Sequence, residues 1–255
     1  MPSYNQAEFL EEAVRSVLDQ EGVSVELLVL DPGSTDGSRE LLGRLRVEYG
    51  ERLRLFFEPD EGQSDAVNRG MTQATGRVLG WLNSDDRLRH GALARVAVRL
   101  DRDRPAWLFG RAGMIDNEGR PITSLIVRYK NWRGGRFSRL MLLTENFIPQ
   151  MSTFWNRAMW ERAGGLDTTK HLDMDYDLWL RFAGVADPEL LGDELADFRV
   201  HGAAKGSVQA GEQLAAAFET ARAHSGSLGW RGRGALLLHR LLSLRTRLLY
   251  LLLKP

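Results

Sequence analysis

The stretch VELLVLDPGSTDGSRELLGRLR, residues 25–46, decides the fold. It opens with a short apolar run, residues 25–30, that is typical of a buried strand and that ends at Asp31. Residues 33–37 predict a turn, and apolar residues return at helical spacing over residues 38–46. A strand, a turn and a helix in this order form the first part of a βαβ unit.

The same alternation continues on both sides of this stretch. The patterns predict further strands at residues 53–57 and 78–82, and helices at residues 7–19, 65–73 and 93–100. This order predicts an α/β fold with a mostly parallel central sheet flanked by helices. A sheet of this kind would need a strand before Pro2, and the sequence encodes none.

The second half of the sequence is less regular. Residues 107–114 and 122–127 predict a hairpin about the turn at residues 116–119. Beyond it we expect helices at residues 156–162, 171–182 and 211–224, and a strand at residues 190–200. We divide the chain into a body, residues 1–225, with halves 1–104 and 105–225, and a helical tail, residues 226–255.

Composition narrows the possible classes of protein. The chain has 255 residues and no cysteine, which excludes disulfides, thiolate metal sites and a cysteine nucleophile. No secretory signal opens the sequence, so we expect a cytoplasmic protein. Seven of the 34 basic residues and none of the 34 acidic residues lie from Thr220 onward, which leaves a net charge of −7 on the first 219 residues. An acidic body argues against binding of nucleic acid.

The tail combines this positive charge with leucines at helical spacing, at Leu237, Leu241, Leu244, Leu248 and Leu251. Its uninterrupted apolar run is too short to span a bilayer. A basic amphipathic helix of this kind suits the plane of a membrane interface, here the inner face of the cell membrane. The alternatives are a helix that packs on the body or in a homodimer.

Polar residues follow each predicted strand of the first half: Asp31, Asp60, and the run Asn83, Ser84, Asp85 and Asp86. Ligands bind beyond the carboxyl ends of strands in sheets of this type. Adjacent carboxylates repel each other unless a cation or strong donors lie between them. The run therefore either caps the next helix or binds a hard divalent cation.

These motifs resemble those of the family 2 glycosyltransferases, which have the GT-A fold and use nucleotide sugars. The matching segments are collinear from residue 2 to about residue 207: PSYN at 2–5, DPGSTDGS at 31–38, EPDEGQSDAVNRG at 58–70, GWLNSDD at 80–86, QMSTFW at 150–155, MDYDLW at 174–179 and RVH at 199–201. Each motif is weak alone, but seven in this order are a strong signal.

The resemblance implies a donor site. Asp31 would bind the nucleotide base in a pocket lined by Pro2 and Tyr4, and Asp65 would hold the nucleotide sugar with Arg69 nearby. Asp65 could instead only cap its helix. Asn83 departs from the usual Asp-x-Asp pattern and would face the ribose. The implied donor-binding set also includes Asn5 and Ser84, and Lys205 would reach the diphosphate.

The resemblance also implies a metal and a catalytic base. Asp85 and His201 would bind Mn²⁺ or Mg²⁺, and a histidine ligand is more natural for Mn²⁺. Asp175 would take the proton of the acceptor, although Met174 replaces the acid that usually precedes it. Its rivals are Asp173, which could be a solvated turn residue, and Asp177, which could cap the helix. Trp155 could contact a sugar or belong to the core.

The resulting hypothesis is an inverting, metal-dependent glycosyltransferase. It would move a sugar from a nucleoside diphosphate, UDP being the first choice, to a hydroxyl of a cell-surface polysaccharide or a lipid-linked acceptor. A nucleotidyltransferase is the second hypothesis, but it would favour a Gly-rich phosphate loop with a basic residue, which is absent here. A non-catalytic nucleotide-sugar-binding protein is the third, because Pro32, Asn83 and Met174 depart from the family pattern.

Overall fold

The computed structural model describes residues 1–100, 102–202 and 210–253, and their side chains except at positions 210, 227 and 247–253. The strands are β1 (Leu27–Leu30), β2 (Leu53–Phe56), β3 (Val78–Gly80), β4 (Arg87–Leu88), β5 (Trp107–Ile115), β6 (Thr153–Asn156) and β7 (Glu189–Arg199). The helices are α1 (Ala7–Leu18), α2 (Ser38–Tyr49), α3 (Gln63–Gln73), α4 (Ala92–Leu100), α5 (Leu125–Gly134), α6 (Arg139–Thr144), α7 (Arg157–Ala163), α8 (Met174–Val185), α9 (Ala210–Ser225) and α10 (Gly229–Leu253).

The strands form two sheets. β1 and β2 pair in parallel, and a five-stranded sheet has the order β3-β6-β5-β7-β4. The predicted α/β architecture is confirmed, but the larger sheet is not mostly parallel. Only β5 and β7 pair in parallel there, whereas β3–β6, β5–β6 and β4–β7 are antiparallel. Strand direction depends on the return path of the chain, which local periodicity does not encode.

The beginning of the chain lies beside β1. Pro2 forms a parallel bridge with Leu30, and the amide of Ser3 donates to the Leu30 carbonyl at 2.9 Å. No longer strand precedes α1 in the described residues, as the sequence predicted. An apolar cleft of about 180 Å³, lined by residues such as Leu28, Val78 and Val96, separates β1 from β3. The two sheets are therefore joined by side chains and not by a shared strand ladder.

Two cores hold the layers together. The first contains Leu10, Leu42 and Val96, from helices that cover the sheets. The second contains Trp107, Trp155 and Trp179, and the rings of Trp107 and Trp179 stack 5.9 Å apart. Trp155 is fully buried in this second core, so of its two predicted alternatives the core is confirmed.

The predicted hairpin at residues 107–127 is only half present. β5 forms, but the returning segment makes a single bridge, Ile115 to Pro121, and then becomes α5. The hydroxyl of Ser124 accepts a hydrogen bond from the amide of Val127 and starts the helix. This serine is a helix N-cap that the β-branched residues around it obscured.

The tail is one long helix, α10, that packs against α6 and α9. Ala235 and His239 are buried on the packed side, whereas Trp230, Leu237, Leu241 and Leu244 are exposed. The helix therefore packs on the body, which was one of the predicted alternatives, and it also presents apolar residues outward. Contact with a membrane interface stays a prediction. Within the described part of the chain, no helix is long and apolar enough to cross a membrane.

Candidate active site

The acidic run after β3 meets the segment that follows β7. The Nε2 atom of His201 lies 3.1 Å from the Oδ2 atom of Asp85, although 116 residues separate them in sequence. Both side chains are largely buried, with 6% of His201 and 19% of Asp85 exposed. The ring of Phe9 in α1 packs 4.9 Å from the His201 ring and fixes its position.

Arg199 organises this region, and sequence reasoning did not assign it a role. Its Nε donates to the Asp85 carbonyl at 2.9 Å, and its Nη1 donates to the carbonyls of Asp116 and Asn117. Its side chain is 1% exposed and also pairs with Glu12. The only sequence signal was its place two residues before His201. A buried guanidinium with all these acceptors holds the acidic run against β7.

Asp86 is the second carboxylate of the pair and is 1% exposed. Its Oδ1 accepts from the Arg199 amide at 3.0 Å, and its Oδ2 has no hydrogen-bond partner. Burial, and then the neighbouring charge of Asp85, raise the pKa of Asp86 well above its ordinary value. Burial and the charge of Asp85 therefore both favour the protonated form of Asp86, which would relieve the repulsion expected from the sequence.

Asn83 fits this arrangement better than the acid it replaces. Its Oδ1 accepts from Trp81 Nε1 at 2.8 Å and from Gln63 Nε2 at 2.7 Å. An aspartate here would add a negative charge close to Asp85, whereas the amide is neutral. Ser84, next in the run, is buried.

The donor set around Asp85 suits a divalent cation that is shared with a ligand. Asp85 and His201 supply one carboxylate and one imidazole, which Mn²⁺ accepts. Among the described residues no three His, Asp or Glu side chains form a complete metal site. Cations at phosphate-binding sites commonly use one or two protein carboxylates and take their remaining ligands from phosphate oxygens and water.

Asp31, at the end of β1, is fully buried. Its Oδ1 accepts from the amides of Gly33 and Ser34 and from Arg39 Nε at 3.0 Å, while its Oδ2 has no partner. Burial alone would raise the pKa of Asp31, but the hydrogen bonds from Ser34, Arg39 and Gly33 lower it. Asp31 is thus an anchored carboxylate with one acceptor oxygen unused.

The predicted base pocket lies next to Asp31. Asn5 has a positive φ of 51°, and it exchanges two hydrogen bonds with the turn after β1, from Thr35 and to Ser34. Tyr4, the residue before it, is 59% exposed. Pro2 is held by its bridge to Leu30. The structure therefore brings Pro2, Tyr4 and Asn5 to Asp31.

Asp65 and Arg69 lie one turn apart on α3. The Oδ2 atom of Asp65 accepts from the amide of Glu61 at 3.3 Å, but the N-cap of α3 is Gly62, so the alternative that Asp65 is the N-cap is wrong. Arg69 donates to the Pro59 carbonyl at 2.8 Å and pairs with Glu58. Neither residue contacts Asp85 or His201, and the donor-binding role stays a prediction for both. Lys205 lies outside the described residues.

Asp175 occupies the first turn of α8 and is half-buried. Its Oδ2 accepts from Asn146 Nδ2 at 3.2 Å. Burial raises the pKa of Asp175, although the amide of Tyr176 and the side chain of Asn146 partly oppose this shift. A carboxylate with a raised pKa and a neutral partner can accept a proton.

The two rivals of Asp175 differ in their contacts. The Oδ2 atom of Asp173 has no hydrogen-bond partner and lies 3.8 Å from Lys170 Nζ. Asp173 is 4% exposed at the N-cap position, so the expectation of a solvated residue is wrong. Asp177 does not cap the helix, because it bridges His224 at 2.9 Å and Arg181 at 2.8 Å. Burial would raise the pKa of Asp177, but these two partners lower it. Asp177 therefore joins α8 to α9.

The first turn of α3 links the two acidic centres. Gln63 donates to Asn83, beside Asp85, and the hydroxyl of Ser64 donates to the sulfur of Met174 at 2.9 Å, beside Asp175. The start of α3 thus contacts a neighbour of Asp85 and a neighbour of Asp175. Sequence reasoning placed none of these linking contacts, because all of them are long-range.

Comparison with known proteins identifies the family of this chain. The family model described as glycosyl transferase family 2 matches residues 1–162. The chain belongs to glycosyl transferase family 2. The resemblance inferred from the motifs is therefore confirmed, and the match covers residues 1–104 together with β5 and β6.

Individual relatives are more distant. An uncharacterised glycosyltransferase of Nostoc sp. is 27% identical over 209 residues, which cover 79% of this chain and 63% of that protein. A PGL/p-HBAD biosynthesis glycosyltransferase of Mycobacterium bovis is 30% identical over 183 residues, which cover 71% of this chain and 67% of that protein. The chain thus spans just under two thirds of the Nostoc relative.

Two solved structures share the fold. The mannosyltransferase PcManGT of Pyrobaculum calidifontis, in complex with GDP-Man and Mn²⁺, superposes with a TM-score of 0.68 at 17% identity, covering 100% of this chain and 74% of that one. TarS of S. aureus, residues 1–349 in complex with UDP, gives a TM-score of 0.61 at 16% identity, covering 88% of this chain and 63% of that one. These likenesses establish the GT-A fold.

Proposed function

We propose that this protein is an inverting, divalent-metal-dependent glycosyltransferase. It moves a sugar from a nucleoside diphosphate donor, first of all a UDP-sugar, to an acceptor hydroxyl. The observation that carries the proposal is the approach of His201 to Asp85, 3.1 Å apart, at the edge where the donor site of the family lies. The neighbours that bind UDP and GDP-Man are consistent with such a donor.

The chain binds the donor at two points. The unused Oδ2 of Asp31 accepts from a ring N–H of the base, and Tyr4 stacks on its face. A buried acceptor without a partner is costly, so a ligand N–H placed there gains most of a charge-assisted hydrogen bond. Asn83 holds the run that carries Asp85 through its contacts with Trp81 and Gln63.

A divalent cation would be held by Asp85 and His201 together with the two phosphates of the donor. When bound, it supplies positive charge that stabilises the departing nucleoside diphosphate. Arg199 keeps the Asp85 backbone and the His201 segment in register for this purpose. The guanidinium of Arg199 donates to backbone carbonyls and pairs with Glu12, so we do not assign it to the phosphates of the donor.

Asp175 acts as the general base. The acceptor oxygen attacks the anomeric carbon, the bond from that carbon to the phosphate oxygen breaks, and the acceptor proton passes to Asp175. Asn146 orients the carboxylate through Oδ2. A single displacement of this kind inverts the anomeric centre, and proton removal by a positioned base contributes about 10²–10⁴-fold to the rate.

The acceptor is a hydroxyl of a cell-surface polysaccharide or of a lipid-linked saccharide, and the protein acts in the cytoplasm at the inner face of the cell membrane. The absence of cysteine fits a reducing compartment. The exposed leucines of α10 support contact with a membrane interface, or with a second copy of the chain as a homodimer.

The decisive experiment is nucleotide release from a panel of UDP-, GDP- and dTDP-sugars with Mn²⁺. We expect turnover with one donor class and none after EDTA treatment. Asp175→Asn should bind the nucleotide as the wild type does and lose turnover. Binding of nucleotide sugars with no turnover of any donor would instead identify a non-catalytic nucleotide-sugar-binding protein.

A further inference from the structure

Two segments of the chain carry only positive charge. Residues 119–144 contain six basic residues and no acid, and residues 220–255 contain seven basic residues and no acid. They are distant in sequence but pack together, because α10 lies against α6. Arg245 of α10 also stacks over the Tyr129 ring of α5 at 5.1 Å. Helices α5, α6 and α10 thus form one basic region.

The same region exposes large apolar side chains. On α5, Leu125 is 77% and Trp132 is 53% exposed, and both share a side of the helix with Tyr129, whose ring lies 6.2 Å from that of Trp132. On α10, Trp230 is 75% exposed and heads a line of exposed leucines opposite the packed face. We call the following six residues the basic–apolar surface: Leu125, Trp132, Trp230, Leu237, Leu241 and Leu244.

Arginines border this surface and are not neutralised. Arg136 stacks on Trp132 at 4.4 Å, and Arg240 stacks on Phe218 at 4.7 Å. Among the described residues, neither of these nor Arg128, Arg233 or Arg245 has a carboxylate partner. Exposed tryptophans and leucines bordered by unpaired arginines are the composition of an interfacial membrane contact.

We propose that the basic–apolar surface docks on an anionic lipid bilayer. Charge complementarity selects this occupant, since the two packed segments carry thirteen basic residues and no acid. The surface draws on two helices from distant parts of the chain. The leucines enter the acyl boundary, and the arginines remain at the level of the lipid phosphates.

The position of this surface deepens the proposed function, on which this step rests. The Tyr129 hydroxyl donates to Glu145 Oε2 at 2.9 Å, and the next residue, Asn146, donates to Asp175. Helix α5, which carries Leu125 and Trp132, is therefore connected to the proposed base through Glu145 and Asn146. An acceptor anchored in the bilayer by a lipid would present its hydroxyl at this side of Asp175, which makes a lipid-linked saccharide the acceptor class.

Co-sedimentation with lipid vesicles tests the docking without donor or acceptor. The probes are vesicles of phosphatidylcholine alone and of equal parts phosphatidylcholine and phosphatidylglycerol. We expect binding only to the anionic vesicles. Leu241→Ser/Leu244→Ser should weaken it at least tenfold, and Arg128→Gln/Arg233→Gln should weaken it roughly fivefold per arginine and reduce its salt dependence.

Matched controls come from exposed residues on helices that do not carry the basic–apolar surface. Val47 and Val98 are 87% and 81% exposed on α2 and α4, and Arg44 and Arg162 are exposed arginines. Val47→Ser/Val98→Ser and Arg44→Gln/Arg162→Gln should bind as the wild type does. Equal losses in these controls, or wild-type protein that stays in the supernatant, overturn the proposal. So does a dimer in lipid-free buffer that Leu241→Ser/Leu244→Ser converts to monomer.

Donor hydrolysis in solution separates this proposal from the proposed function. All four double variants should hydrolyse the donor at the wild-type rate, because none touches Asp31, Asp85, His201 or Asp175. Vesicle binding without any donor turnover would uphold the docking surface and reject the enzyme. Donor turnover without vesicle binding would uphold the enzyme and reject the docking surface.

Discussion

Asp85 Oδ2 and His201 Nε2 lie 3.1 Å apart, which joins the loop after β3 to the end of β7. Neither residue has a second acidic or histidine neighbour that would complete a cation site among the described residues. The two side chains therefore form only part of a cation site, which the oxygens of an anionic ligand would complete. Substitution of Asp85 or His201 gives the first prediction.

Asp85→Asn and His201→Ala should each weaken the dependence of activity on Mn²⁺. Because even outer partners of metal ligands contribute roughly 10–100-fold to metal affinity, loss of a direct ligand should raise the half-saturating Mn²⁺ concentration at least about a hundredfold. Titration of donor hydrolysis with Mn²⁺ measures this. His90→Ala is the matched control, since His90 is 79% exposed and should leave the titration unchanged.

Asp31→Asn should weaken donor binding more than turnover. It replaces the charged acceptor Oδ2 with a group that no longer forms a charge-assisted hydrogen bond to the base, which corresponds to a loss of roughly 10–100-fold. We expect KM for the donor to rise by this factor with kcat within about threefold of the wild type. An unchanged KM would remove the base-binding role.

Asp175→Asn should lower kcat by about 10²–10⁴-fold and stabilise the folded protein at neutral pH. The folded-state pKa of Asp175 is raised by burial, so its contribution to stability is complete below the unfolded-state pKa and is lost as pH rises through the folded value. The variant escapes this loss. Its melting temperature should exceed that of the wild type at pH 7, and the difference should vanish in acid.

Asp177→Asn supplies the control of opposite sign, two residues along the same helix. The folded-state pKa of Asp177 is lowered by His224 and Arg181 despite burial, so its contribution is present above the unfolded-state pKa and is lost as pH falls. This variant should melt below the wild type at pH 7. If both variants shifted the melting temperature in the same direction, the electrostatic distinction between them would be wrong.

Arg199→Leu should destabilise the protein by about 3–5 kcal/mol, because it leaves Glu12 and the carbonyls of Asp85 and Asp116 without their buried cation. Urea unfolding measures the loss. Arg199→Lys keeps the positive charge but loses the planar set of guanidinium donors. Its free energy of unfolding should lie between those of the wild type and of Arg199→Leu. A Mn²⁺ titration of the folded Arg199→Lys variant should also be weaker, since the Asp85 loop loses its anchor.

The sequence predicted correctly those helices and strands that bury one face, because burial of one face gives a regular spacing of apolar residues. The helices α1, α8 and α9 and the strand β7 appear within a few residues of their predicted bounds. It failed where one hydrogen bond decides the structure: the Ser124 cap turned a predicted strand into α5. It left Trp155 open between sugar contact and the core, because the contact of its ring with Trp179 is a long-range property that sequence spacing does not show.

The candidate site was predictable in its parts but not in its assembly. The motifs located Asp31, Asp85, Asp175 and His201, and the structure brings Asp85 and His201 together. Arg199 was visible only by its place two residues before His201, and its importance follows from burial and from acceptors on two separate loops and on α1. The two positive segments were visible in the sequence, but only the packing of α10 on α6 makes them one surface.

The cleft between β1 and β3 has a dynamic consequence. Since no backbone ladder crosses it, the β1–β2 pair can open as a subglobal unit while the five-stranded sheet stays closed, and its amides should exchange with deuterium sooner than those of β5 and β7. A donor that contacts both Asp31 and Asp85 would connect the β1–β2 pair to the five-stranded sheet across this cleft. Nucleotide binding should therefore slow exchange in β1 more than anywhere else in the molecule.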